Sequence, residues 1–177
     1  MIFKKTLLAA ALLAFGGFAM TASAASPATG TFQVSLVVTK TCTVTAGATS
    51  NITLGTTVSG GTSASANNTF SVNCSRLTPF YIGLAPTNVT STTGAGTMKG
   101  TGTNTDTVTY QLYSNSALST VWGNTATSTS VGNGVSGVGT GMASANKISE
   151  TVYANAIGST DVAPDTYSDN VNINVNF

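Results

Sequence analysis

The sequence predicts an all-β fold. Three observations carry that expectation: apolar side chains recur at every second position in short runs, turn-forming residues separate the runs, and helix-favouring stretches are almost missing. Alternation over four to eight residues marks a half-buried strand, because neighbouring side chains on an extended chain point to opposite faces. Phe32, Val34, Leu36 and Val38 open the series. Ile52 and Leu54 follow, then Phe70, Val72 and Cys74, Phe80, Ile82 and Leu84, and Val108, Tyr110 and Leu112. The series closes with Val152, Ala154 and Ala156, then Val171, Ile173, Val175 and Phe177. Intervening positions are mostly Thr, Ser and Asn, which suit a pleated surface or its turns, though Val37 makes the first run less clean.

Turn signals lie at Gly60-Gly61, Asn67-Asn68, Pro86, Gly94-Ala95-Gly96, Gly100 to Gly102 and Pro164-Asp165. Short strands with regular punctuation predict a sandwich or barrel. Ser59 to Ala66 reads as a loop. Gly123 to Ala145, with Gly132, Gly134, Gly137, Gly139 and Gly141, reads as a long surface loop or as weak edge strands. It lacks the strand–loop–helix setting and the lysine of a phosphate loop. No internal repeat is visible.

The chain starts with an export signal by its residue order. Lys4 and Lys5 precede an apolar run from Leu7 to Met20, and the small residues Ala22-Ser23-Ala24 follow. The run falls short of the roughly 20 residues of a membrane-spanning helix. Residues 1–24 are therefore read as a signal peptide cut after Ala24, with Ala25 as the next choice. The remaining chain carries Lys40, Arg76, Lys99 and Lys147 against five acidic residues, a net charge of −1.

Composition excludes much chemistry. The 177 residues include no histidine, 6 % charged residues and a formal net charge of +1, so no strong field attracts nucleic acid or anionic lipid. Without histidine the commonest general base and the commonest metal ligand are both missing. Ser and Thr abound, but a hydroxyl nucleophile needs an activating base. Asp161, Asp165 and Asp169 cluster near Pro164 and invite a calcium or paired-carboxylate reading, yet their spacing matches no calcium loop, and acidic residues in turns usually cap or solvate. No catalytic residue, cofactor or metal site is expected. Trp122, the one tryptophan, is assigned to the core rather than to sugar stacking. Asn51-Ile52-Thr53 and Asn88-Val89-Thr90 match the glycan-acceptor pattern, which arises easily by chance in an Asn/Thr-rich chain.

Cys42 and Cys74 are the only cysteines, and an oxidising compartment favours their pairing. Both lie in alternating segments, so the bridge is expected to join two strands near the start of one domain. Two thiols without histidine make a poor metal site.

The N-terminal alternation is the most informative feature. A strand as apolar as Gly30 to Val38 invites edge pairing or aggregation when left free in water. At the other end, Tyr167 to Phe177 finishes on a second alternating run. A sandwich that takes its missing strand from another copy explains both. A self-contained sandwich that uses its own N-terminal strand fits the alternation equally well.

A resemblance separates the two. The segment Gly30-Thr31-Phe32-Gln33-Val34 leading to Thr41-Cys42-Thr43-Val44 is followed by Phe70-Ser71-Val72-Asn73-Cys74 and by Val108-Thr109-Tyr110-Gln111-Leu112-Tyr113. Val121-Trp122-Gly123, Ala163-Pro164-Asp165-Thr166-Tyr167-Ser168-Asp169 and the final run to Phe177 complete the order. In this order behind a signal peptide, the chain resembles the spore coat protein U domain family, which includes major pilins of archaic chaperone–usher pili. One departure is Ile148 to Ile157, where similar proteins often carry a turn richer in proline and glycine.

The resemblance implies an incomplete immunoglobulin-like β-sandwich lacking its last strand, completed by a donor strand from a neighbouring subunit. Residues 25–40 would form the donor segment and residues 41–177 the sandwich domain. Phe32, Val34, Leu36 and Val38 would be the inserted anchors; Val171, Ile173, Val175 and Phe177 would line the receiving groove and present the edge that a chaperone pairs. The implied partners are copies of the chain itself, a periplasmic chaperone, an outer-membrane usher and minor or tip pilins, with no nucleic acid. The implied role is a major fibre subunit at the cell surface for adhesion and biofilm formation, not an enzyme. The competing readings are a secreted, self-complemented sandwich that binds carbohydrate or a surface, and a monomeric coat or matrix protein.

Cys42 and Cys74 should resist a thiol probe in native extracellular material. Their replacement by serine should remove roughly 3–4 kcal/mol of stability from the loop they close, read as a lowered denaturant midpoint. Labelling of most molecules would refute the pairing.

Overall fold

The computed structural model describes residues 28–177; the signal-peptide reading of residues 1–24 and the first three residues of the 25–40 segment lie outside them. The chain divides into two units, residues 1–37 and residues 38–177. Of the first, residues 28–37 are described, and they form no helix, strand or turn.

The second unit is all β. Its strands are β1 (Cys42–Thr45), β2 (Ala66–Cys74), β3 (Pro79–Pro86), β4 (Ala95–Lys99), β5 (Thr107–Tyr113), β6 (Val135–Val138), β7 (Ile148–Ala156) and β8 (Val171–Asn176). Two single turns of 3-10 helix, Ala48–Ser50 and Ser144–Asn146, are the helical elements among the described residues. One sheet runs β1-β2-β7-β5-β4 and the other β6-β3-β8, with every pairing antiparallel.

The core between the sheets follows from the alternation. Phe70 and Val72 of β2, Phe80, Ile82 and Leu84 of β3, Tyr110 and Leu112 of β5 and Val152 and Ala154 of β7 all point inward and are buried. Trp122 fills the centre, with no exposed surface, its ring 6.0 Å from that of Phe70. Its indole N–H donates to the Ile82 carbonyl at 2.9 Å, which satisfies the one polar atom that burial would otherwise strand. The core assignment of Trp122 holds, and no face of it is open to stack on a sugar. Cys42 and Cys74 are directly opposed across β1 and β2 and form a disulfide, as expected.

Several predicted turns are strand instead. Asn67 and Asn68 lie within β2, opposite Tyr153 and Val152 of β7. The Asn68 amide donates to the carbonyls of Thr49 and Asn51, so its polar end is spent on the preceding segment rather than on a turn. Ala95 and Gly96 begin β4, where Gly96 faces Tyr110 so closely that a methyl group there would strike the phenol ring. That glycine marks a close approach, not a bend. The departure at Ile148 to Ile157 is the long strand β7. In the glycine-rich stretch, β6 is the weak edge strand allowed for, pairing with β3, and the rest is irregular apart from a Thr127–Ser130 bridge and the start of the second 3-10 turn. Conversely, Ile52 and Leu54 form no strand.

Glu150 departs from the pattern. It lies opposite Phe70, on the inward face of β7, half-buried and without a hydrogen bond or ion pair among the described residues. Burial pushes its carboxyl above the usual range. The fold therefore disfavours the charged form, and the cost grows as pH rises through and above the ordinary glutamate range. Glu150→Gln should raise the melting temperature at pH 7, with the gain vanishing near pH 3–4, where the native side chain is already neutral. A gain independent of pH would assign the effect to something other than ionisation.

Candidate functional site: an open sandwich edge

Sheet edges are where the molecule is chemically unfinished. Among the described residues, β8 pairs with β3 alone and β1 with β2 alone. β8 alternates Val171, Ile173 and Val175 with Asn172, Asn174 and Asn176, and its apolar row faces the core. The register shows what is missing. Ile82 is opposite Val175 and Leu84 opposite Ile173, so each pair shares one face of the sheet. The β3 members are 0 % and 1 % exposed, whereas Val175 and Ile173 are only half-buried. β3 has a strand on either side; β8 has one.

The facing edge shows the same defect. Val44 is paired with Val72, which has no exposed surface, yet Val44 itself remains 38 % exposed. Ile52 and Leu54 pack against the core without belonging to either sheet, and this is why their alternation produces no strand. Phe177 packs on the same core just past β8. The Lys40 ammonium stands 5.9 Å from its ring centre, close enough for a cation–π contact that ties the approach to β1 to the end of β8. The structure thus brings Val171, Ile173, Val175 and Phe177 together along one half-covered apolar row.

Phe32, Val34, Leu36 and Val38 are between 82 % and 89 % exposed and belong to no strand. The expectation of a half-buried strand over this run is corrected: its alternation has no partner among the described residues, and without a ladder an extended apolar segment has no strand to join.

The carboxylates near Pro164 serve as fasteners. Asp165 accepts the Thr101 hydroxyl at 2.6 Å, the Asn104 amide at 2.8 Å and the backbone N–H groups of Thr101 and Thr166, and these donors hold its carboxyl well below the usual range. Asp169, just before β8, accepts the Thr87 hydroxyl, the N–H groups of Asn88 and Asn170 and the Tyr110 hydroxyl. Burial, with the Asp169 carboxylate beside it, pushes the Tyr110 phenol far up, so it stays a donor. Asp161 accepts the Ser59 hydroxyl. Each carboxylate is engaged by different partners, and together they pin the segment that delivers β8 to the sheet. The capping expected of acidic residues in turns is met by Asp165 and Asp169, which accept backbone N–H groups; their remote side-chain donors were not legible in the sequence. Asn88 of the second glycan-acceptor pattern donates to the carbonyls of Thr97 and Ser168, a structural use of its amide.

The described residues thus form an all-β sandwich with a half-covered apolar row between its β1 and β8 edges. The chain belongs to the Spore Coat Protein U domain family, whose model matches residues 28–174. Among solved structures, it is similar to a chain in the crystal structure of the CsuC–CsuE chaperone–tip adhesion subunit pre-assembly complex from archaic chaperone–usher Csu pili of Acinetobacter baumannii. The identity is 19 %, the TM-score 0.52, and the match covers 79 % of this chain and 40 % of that one. This chain therefore spans less than half the length of that structural relative. Comparison with curated proteins gives no match. The fold is an immunoglobulin-like sandwich.

Hydrogen exchange should read the bare edge directly. In an antiparallel edge strand only alternate N–H groups point at the neighbour. Every second amide of β8 should therefore exchange orders of magnitude faster than the amides of β3 in the isolated chain. Uniform slow exchange along β8 would show that the edge is covered.

Proposed function

We propose that the chain is the major structural subunit of an archaic chaperone–usher surface fibre, exported through the periplasm and assembled head to tail. In this reading residues 25–40 are the donor segment and residues 41–177 the receiving sandwich. One observation carries it: the chain has an apolar edge lacking a strand and, elsewhere, an apolar strand-like segment lacking a sheet. Phe32, Val34, Leu36 and Val38 have the same spacing and span as Val171, Ile173, Val175 and Phe177, about 20 Å from first to last. Four anchors therefore match four positions of the edge in a single register.

The recognition is strand addition, in which main-chain bonds supply affinity and alternate side chains set the register. Four anchors at 1.5–3 kcal/mol each give about 6–12 kcal/mol before ordering costs, enough for slow dissociation once the paired main chain is included. A chain that gives a strand at one place and receives one at another makes a heterologous contact, which repeats without closing. A periplasmic chaperone would cover the β8 edge before assembly, an outer-membrane usher would exchange it for the next donor segment, and minor or tip pilins would end the fibre. The resulting fibre serves adhesion and biofilm formation. The work is assembly, not catalysis. Family membership and the likeness to a chaperone–pilus subunit complex support this reading.

Val34 tests the mechanism at one residue. Val34→Asp would place a carboxylate in an apolar groove, at a cost of several kcal/mol, and a one-residue slip would turn every anchor outward. Val34→Asp chains should bind the chaperone normally but fail to extend fibres, while Gln33→Asp, on the opposite face, still assembles. Normal fibres from Val34→Asp would remove the donor role; loss of chaperone binding would place the segment in its own sandwich.

A further inference from the structure

The outer face of the five-stranded sheet points away from the core. Its outward positions in β2, β5 and β7 are Thr, Ser, Asn, Gln or Tyr throughout, with no charged side chain. Across them runs one row of a different character. Asn67 of β2 is opposite Tyr153 of β7, Tyr153 is opposite Tyr113 of β5, and Tyr113 bridges to Val121. Residues opposed in an antiparallel ladder share a face, with side chains about 5 Å apart at their bases. The row therefore runs for about 14 Å, three strand spacings. Trp122 points into the core, which turns Val121 outward.

The members of the row are reachable and unspent. Asn67 is exposed, Val121 is 41 % exposed and the two tyrosines are half-buried. Tyr110 and Tyr167 donate their hydroxyls to Asp169 and to the Ala163 carbonyl. The hydroxyls of Tyr113 and Tyr153 make no hydrogen bond among the described residues, and neither does the Asn67 amide, unlike that of Asn68 beside it. Next to the row Thr69 is opposite Thr151, which adds two more hydroxyls. A cross-strand aromatic pair steadies a sheet, but that role asks for rings alone.

The chemistry selects the ligand. A phenol ring takes the C–H face of a sugar, and amides and hydroxyls both donate to sugar hydroxyls and accept from them. Nucleic acid needs cations for its phosphates, and an acidic sugar finds none here either. Hot spots of protein interfaces lie in dry apolar pockets, whereas hydroxyls and amides flank these phenols. Phenols set side by side suit a chain whose successive sugar rings lie in a line, as equatorial linkages make them. We propose that Tyr113 and Tyr153, with Asn67 and Val121, form a binding face for a neutral, β-linked polysaccharide. The face does not depend on the fibre reading; in a fibre it would recur in every subunit and bind through many weak contacts at once.

The test presents the full chain, as isolated from cells and whether soluble or fibrous, to sensor tips carrying cellohexaose or polygalacturonate. Native protein should bind cellohexaose and leave the anionic polygalacturonate bare. Tyr113→Thr and Tyr153→Thr together should weaken cellohexaose binding more than about tenfold, through loss of both rings. Tyr113→Phe with Tyr153→Phe keeps the rings, so the melting temperature should stay native while binding falls about three- to tenfold. Asn67→Ala, at an exposed position, should cost about threefold. Native affinity in the threonine pair, or in both the phenylalanine pair and Asn67→Ala if the threonine pair does not fold, would overturn the site. Failure of the native chain to bind cellohexaose would overturn it too, and tighter binding to polygalacturonate would overturn the neutral ligand.

Discussion

The structure turns on the unpaired main chain of β8. Backbone N–H and C=O groups are obligatory hydrogen-bonding groups, and a strand that faces the core on one side and nothing along one edge leaves half of them to water. In this sandwich the bare edge coincides with a half-covered apolar row, because a missing strand removes both the ladder and the side chains that would cap the core. Main chain and hydrophobic surface therefore call for the same remedy, a strand with alternating apolar residues. The exposed segment over Phe32 to Val38 is of that description.

The remainder of the sandwich holds this edge in place rather than closing it. The disulfide fastens β1 to the end of β2, so the facing edge keeps its position with only four residues in its ladder. Asp169 gathers hydrogen bonds from the end of β3, from Tyr110 and from its own turn immediately before β8 begins. Trp122 plugs the core and ties its indole to β3, the strand against which β8 lies. These three devices supply the rigidity that an edge strand with one neighbour among the described residues lacks.

The same logic separates the two kinds of exposed apolar residue. Val171, Ile173 and Val175 are half-covered and oriented by their strand. Phe32, Val34 and Leu36 are exposed and belong to no strand. Leu77 belongs to neither: it is a single side chain held out by a backbone conformation that its own residue type resists.

Alternation was enough to identify the five longest paired strands. Phe70 to Cys74, Phe80 to Leu84, Val108 to Leu112, Val152 to Ala156 and Val171 to Val175 are all in the sheets, because a period of two has one physical meaning when one face is buried. The cysteine pair and the core tryptophan were legible for similar reasons, compartment chemistry in one case and the size of an indole in the other. Local signals failed where a residue's partner is remote. Gly96 resembles a turn until Tyr110 is seen against it, and Asn68 resembles a turn until its amide is found on the carbonyls of Thr49 and Asn51. Sequence by itself determined that this chain is all-β, that two of its apolar runs lie at opposite ends, and which side chains of each share a face. Only the tertiary structure decided that one run joins a sheet and the other does not, since both alternate equally well and strand formation depends on a neighbour's backbone, which no periodicity encodes.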